Sequence, residues 1–164
     1  MTDAAKASDQ KQEHHIQIED TESTAVDLLA LKTGLSKQRI KQAMQKGAVW
    51  VTRGKQTTRL RRSSKSLKTE DQVHIYYDER ILNTKPGPCR MISDEVAYSV
   101  WYKPYDVRSQ GSKWSDHCTI HRWVELNLKP QRPAFIVHRL DRAATGLMLI
   151  AHQKGVATKL AKLF

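Results

Sequence analysis

"HRLDRAATGLMLIA", residues 138–151, is the stretch that decides how the second half of the chain is read. Its front is ionisable: His138, Arg139, Asp141 and Arg142. Its back, from Gly146, is an apolar run of Leu147, Met148, Leu149, Ile150 and Ala151. A short apolar run bounded by a turn reads as a buried strand. "PAFIVHRL", residues 133–140, reads as another on the other side of the turn. Thr145 and Gly146 let the turn close tightly before the next strand. A single carboxylate is thus expected between two guanidiniums at the mouth of a sheet.

The residue types limit the chemistry. Asp141 between Arg139 and Arg142 is expected to be ionised at neutral pH, since nearby cations favour the carboxylate. Turns between strands are where scaffolds present functional groups. An ionised carboxylate there suits a nucleophile towards an electrophilic carbon, or a stabiliser of an oxocarbenium-like sugar. The arginines suit a phosphate. An Arg–Asp–Arg ion-pair turn without a catalytic role accounts for the same residues.

Working outward, "EVAYSVWYKP", residues 95–104, supplies a β-rich run ended by Pro104. "KGVATKLAKLF", residues 154–164, reads as an amphipathic helix with Val156, Leu160 and Leu163 on its apolar side. Residues 79–94, with Asn83, Pro86, Gly87 and Pro88, read as a linker. The catalytic-type segment is then 95–164.

The front half has a different character. Residues 1–20 are polar and acidic, without periodicity, and read as a disordered tail. Residues 21–78 read as a small module. Thr24 and Asp27 cap a helix carrying Val26, Leu28, Leu29 and Leu31, which Gly34 stops. Ser36 caps a second helix with Ile40, Ala43 and Met44 on one face, ended by Gly47. Val49 and Val51 alternate as a strand, as do Val73 and Ile75. From Lys32 to Lys68 there are twelve Lys or Arg and no acid, within a net charge of +11. Such a block is the electrostatic footprint of a polyanion partner. The candidate nucleic-acid-contacting residues, for RNA or DNA, are Lys37, Arg39, Lys41, Arg53, Lys55, Arg59, Arg61 and Arg62, joined by Arg142; a merely solvated basic surface, or one drawn to anionic lipid, accounts for the same block.

Two resemblances rest on these stretches. "LLALKTGLSKQRIKQAMQKGAVWVTRG" with "LKTEDQVHIYY" resembles the αL-type RNA-binding module first described in ribosomal small-subunit protein four. "HRLDRAATGLMLIA", with "VWYKPYDVRSQG" upstream, resembles the central and Lys-Pro motifs of the RluA-type pseudouridine synthases. The resemblance implies an α+β fold: the small αL module followed by a partial, mostly antiparallel mixed-sheet synthase domain. It implies isomerisation of uridine to pseudouridine in RNA, without cofactor or metal, with Asp141 as the catalytic carboxylate and Arg139 at the active site. Ribosomal RNA is the first expectation for the substrate and transfer RNA the second.

The chain departs from that family pattern at two places. Ala144-Thr145 stands where the family commonly has Thr-Ser, and Asp106 stands where a glycine is common. The family's later tyrosine and arginine segments have no counterpart in the 164 residues, so the chain is expected to be a truncated synthase, inactive alone. The alternative is a non-catalytic RNA-binding remnant or adaptor. Two cysteines and no secretory pattern point to a reducing, cytoplasmic setting, and no run is long enough for a membrane span. "DHCTIH" lacks the second cluster a zinc site needs, so no metal ligands are assigned. Trp101, Tyr102, Trp114 and Trp123 are expected in a core or on a sheet face rather than under RNA bases.

Overall fold

A computed structural model describes residues 11–164. Among them are five helices and two four-stranded antiparallel sheets, an α+β arrangement. The chain divides into two compact units. The first runs to Thr84 and includes Lys113–Ser115; the second comprises Lys85–Ser112 and Asp116–Phe164.

In the first unit the strand β1 (Lys11–Gln17) is followed by helices α1 (Ala25–Thr33) and α2 (Lys37–Gln45). Strands β2 (Val49–Arg53), β3 (Gln56–Arg59) and β4 (Gln72–Asp78) come next, then the short helix α3 (Glu79–Leu82). Both expected caps are present: Thr24 accepts from the Asp27 amide and Ser36 from the Arg39 amide. Gly34 ends α1 in the left-handed region at φ +74°, where a side chain would be strained. The core gathers Val26, Leu29, Ile40, Met44, Val49, Val51, Leu60, Val73 and Ile75. Leu31, expected on the apolar side of α1, is 86% exposed. It lies five residues from Val26, well round the helix from the face that meets the core.

Two expectations are corrected here. Residues 11–17 of the supposed disordered tail form β1, paired with β4 from Lys11↔Asp78 to Gln17↔Gln72. Its sequence is nearly all polar, so only the partner strand makes it a strand; residues 1–10 lie outside the described residues. The supposed linker is also structured at both ends. Asp78 caps α3 by accepting from the amides of Arg80 and Ile81, and Arg90–Asp94 is a strand.

The second unit orders its sheet β5-β6-β8-β7: β5 (Arg90–Asp94), β6 (Tyr98–Lys103), β8 (Gly146–Ala151) and β7 (Phe135–Ile136). Helices α4 (Ile120–Asn127) and α5 (Lys154–Ala161) complete it. The strand expected over 133–140 is only two residues long. Beyond Ile136 the backbone leaves β8, and the His138 Nε2 accepts the Leu149 amide instead at 3.0 Å. Trp101, Val107, Ile120, Val124, Met148 and Ile150 form the core. A buried polar chain crosses it. The Trp101 Nε1–H donates to Ser99 Oγ, Ser99 Oγ meets His152 Nε2, and His152 Nδ1 meets the Pro133 carbonyl, each within 2.7–2.8 Å. No described helix is long and apolar enough to cross a membrane.

One buried charge secures the first unit. The Asp71 carboxylate, 1% exposed, accepts both a bidentate fork from Arg53 (2.8 and 2.6 Å) and the Lys68 amide (2.8 Å). The Arg53 hydrogen bonds, above all, hold its carboxyl below the usual carboxylate range. Asp71→Asn is expected to lower stability by roughly 2 kcal/mol, since bonds to charged groups are worth about 1.5–3 kcal/mol and Arg53 is half exposed. Because the folded value is depressed, the advantage of the native protein is fully present above about pH 4, the unfolded carboxylate range, and fades as pH falls through the lowered folded value. Urea unfolding of both proteins across pH 2–7 checks it.

Candidate active site

Asp141 sits in the turn between β7 and β8, exposed to solvent. Its backbone is fastened on both sides. Ser109, buried, donates its Oγ–H to the Leu140 carbonyl at 2.6 Å and accepts the Leu140 amide at 3.0 Å. After Asp141, the Arg142 carbonyl accepts the Asp106 amide at 2.9 Å and a longer bond from Lys103 Nζ at 3.4 Å. The Ala144 amide closes the turn onto the Asp141 carbonyl at 3.1 Å. Gly146 then enters β8 at φ +149°, a conformation glycine adopts freely.

The expected Arg–Asp–Arg ion pair is not what forms. Arg142 pairs through Nε with Asp106, the third residue of the loop that follows β6. Arg139 is exposed, and the Asp141 carboxylate makes no ion pair or side-chain hydrogen bond with the described residues. The reason is geometric. The main-chain bond from Asp106 to Arg142 brings their side chains together, so Arg142 is turned to that loop. Its guanidinium holds the Asp106 carboxyl below the usual carboxylate range. The outcome is an accessible carboxylate whose oxygens no described side chain claims, two residues along the chain from an exposed Arg139.

Lys103 ends β6 and is wholly buried. Its ammonium donates to the carbonyls of Val107 (2.6 Å), Pro104 (3.1 Å) and Arg142 (3.4 Å). Burial pushes its pKa down, against the opposing pull of Cys89, Asp106 and Asp141. Burial likewise pushes the nearby Cys89 thiol up to about 11, so it stays protonated and unreactive at neutral pH.

Residues 97–164, from just before β6 through the Asp141 turn, match the family model described as RNA pseudouridylate synthase. This segment is similar to that family. The family's enzymes are isomerases acting on RNA. No curated protein matches the chain.

Within the matched segment, the other sequence candidates resolve into structural roles. His138 accepts the Leu149 amide and stacks on Phe164 at 4.3 Å between ring centroids; burial lowers its pKa. It is thus a neutral ring holding β8, not an acid. Trp101 is core and Trp123 packs against it. In the "DHCTIH" stretch, Thr119 caps α4 and His121 Nε2 bonds the Ala134 carbonyl. No three His, Cys, Asp or Glu side chains converge as metal ligands among the described residues.

In the first unit the basic residues divide into two sorts. Lys37 pairs with Asp27 at 2.6 Å, Arg39 with Glu79 at 3.3 Å, and Arg53 is bound to Asp71. Arg59 lies over the Trp50 ring, and Arg61 donates to the Gln45 carbonyl. Lys41, Lys55 and Arg62 are exposed or half-exposed and bind none of the described side chains. Arg59, Arg61, Arg62, Ser64 and Lys65 line a basin of about 500 Å³. Trp114, also in this unit, stands edge-on to Tyr76. The sequence reading missed Lys65 and the tethering role of Lys103, Asp106 and Ser109. The signal it held was Asp106 itself, a side chain at a position where the family commonly has glycine.

Lys103→Met is expected to cost roughly 2–3 kcal/mol, because an apolar chain of similar length takes the ammonium donor from the Val107 and Pro104 carbonyls. Urea denaturation should show a lower midpoint at unchanged slope.

Proposed function

We propose that the chain is an RNA pseudouridine synthase with Asp141 as its catalytic carboxylate. The observation that carries this reading is an exposed, unpaired carboxylate on a turn whose backbone is held on both sides, within a pseudouridylate synthase segment. In the reaction the N1–C1′ bond breaks, the base turns, and a C5–C1′ bond forms. The proton leaves C5 and N1 gains one, so no redox partner is needed. Asp141 either adds to C1′ or stabilises the displaced, oxocarbenium-like sugar. Arg139 engages the RNA at the active site, and Arg142 contacts phosphate through its terminal N–H groups while its Nε stays on Asp106.

The target base must leave its stack, at a cost of about a few kcal/mol. Contacts remote from the reacting bond can offset that cost. The first unit supplies them as an αL-type RNA-binding module. Lys41, Lys55 and Arg62 contribute free charge; Lys37, Arg39, Arg53, Arg59 and Arg61 line the same basic stretch while partly engaged within the protein. Ribosomal RNA is the first substrate to test and transfer RNA the second. A second reading, an RNA-binding adaptor without catalysis, draws on the first unit having its own core and its own exposed cations.

Tritium release from RNA labelled at uridine C5 tests the chemistry, because pseudouridine formation exchanges that hydrogen. Release by the native chain that is lost in Asp141→Ala supports the synthase reading. Release that survives Asp141→Ala overturns Asp141 as the catalytic group. RNA binding with no release from either protein favours the adaptor. For the binding face, Lys41→Ala with Arg62→Ala should reduce the slope of log affinity against log salt by about 0.7–0.9 per residue. Filter binding over a salt series reads that slope.

A further inference from the structure

The loop between β6 and the start of α4 touches the Asp141 turn at more points than a connection requires. Lys103 and the Asp106 amide both reach the Arg142 carbonyl. The Asp106 carboxylate takes the Arg142 Nε. Ser109, 4% exposed, takes both backbone groups of Leu140. These contacts fall on the residues immediately before and after Asp141. The loop is itself tied down. The Arg108 amide donates to the Cys118 carbonyl at 3.2 Å, and the Ile120 amide donates to the Arg108 carbonyl at 2.9 Å. Ile120 is the first residue of α4 and wholly buried. A continuous path therefore runs from the core through α4, Arg108 and Ser109 to Leu140 and Asp141.

Asp106 is the unusual member. Its backbone is left-handed, at φ +68°, where glycine sits without strain and aspartate only with some. A side chain kept there invites an account of what the side chain does. In this structure it bonds Arg142, one residue after Asp141. Both partners are more than half exposed, so the pair is weak as a contributor to global stability. It acts on the local geometry of one turn.

We propose that residues 104–109 form a positioning loop for Asp141, with Ser109 and Asp106 as its positioning residues. Ser109 sets the backbone before the carboxylate, and Asp106 sets it after, through Arg142. The proposal rests on Asp141 being the catalytic carboxylate, but its geometry can be tested apart from that reading. Catalytic groups must be held close to productive geometry, so loosening this turn lowers turnover more than RNA binding.

The test is amide hydrogen exchange by NMR on the whole 164-residue chain. The variants are Ser109→Ala, Asp106→Gly and Asp106→Asn, with Arg142→Ala as the partner change. Ser109→Ala should speed exchange of the Leu140 amide about tenfold, as expected for one lost buried hydrogen bond. Asp106→Gly should speed exchange of the Ala144 amide by about two- to fivefold, in keeping with an exposed ion pair. Asp106→Asn, which keeps an acceptor and tolerates the left-handed backbone, should fall between. Amides of Trp101 and Met148 in the sheet should not change. The melting temperature of Asp106→Gly should not fall, since glycine relieves the φ of +68°. A merely stabilising role would instead lower the melting temperature and speed all amides together. Asp106→Gly and Arg142→Ala should not be additive at Ala144, because each removes the same contact.

Unchanged exchange at Leu140 and Ala144, or additivity of the Asp106 and Arg142 changes, would overturn the proposal. So would exchange that rises equally throughout β6 and β8. Where the chain releases tritium from labelled RNA, Ser109→Ala and Asp106→Gly should lower kcat several-fold with little change in KM; the reverse split counts against positioning. Release that survives Asp141→Ala marks a failure of the catalytic assignment, whatever the exchange rates show.

Discussion

A buried ammonium must be met by oxygen, and in the second unit that demand falls on Lys103. Stranded without acceptors, it would cost several kcal/mol or lose its proton. It finds three main-chain carbonyls, from Pro104, Val107 and Arg142. Two belong to the loop leaving β6 and the third to the turn entering β8. One charge thus draws together two segments almost forty residues apart, and β6 and β8 lie side by side from Tyr98↔Ala151 to Lys103↔Gly146. The Asp141 turn stands at the end of that ladder.

From this junction follows the odd state of the charges around the site. Arg142 is drawn to Asp106 by the same loop contact that brings its carbonyl to Lys103. Asp141 is left with its carboxylate open to solvent, and Arg139 is exposed two residues earlier in the chain. An enzyme that must present a carboxylate to a sugar carbon gains from that arrangement. A carboxylate locked between two guanidiniums would have to break those bonds first. The pseudouridylate synthase family match covers the segment in which all of this occurs.

Much of the architecture was legible from local pattern. The caps at Thr24 and Ser36, the stop at Gly34 and the alternation of Val49 and Val51 all depend on near neighbours, and all formed as read. The apolar run after Gly146 became β8, and "YSVWYK" became β6. What failed depended on distant partners. β1 is polar and has no pattern of its own; β4 makes it a strand. The strand before the Asp141 turn is short because a histidine ring replaces part of its ladder. At the site, Asp141 and Arg139 stood out by type and spacing. Ser109 did not, since a serine in a loop carries no mark until Leu140 is folded against it.

The sequence by itself marked the candidate site: an aspartate in a charged turn ahead of a buried strand, in a segment that matches the family model described as RNA pseudouridylate synthase. It also determined the separation of charge along the chain, because charge is a property of composition. Only the tertiary structure decided which of those charges are spent. Arg53 is committed to Asp71 and Arg142 to Asp106, whereas Asp141 is not committed to any side chain among the described residues. Pairing depends on where backbones cross, and in this chain the crossings are set by buried groups that must find partners.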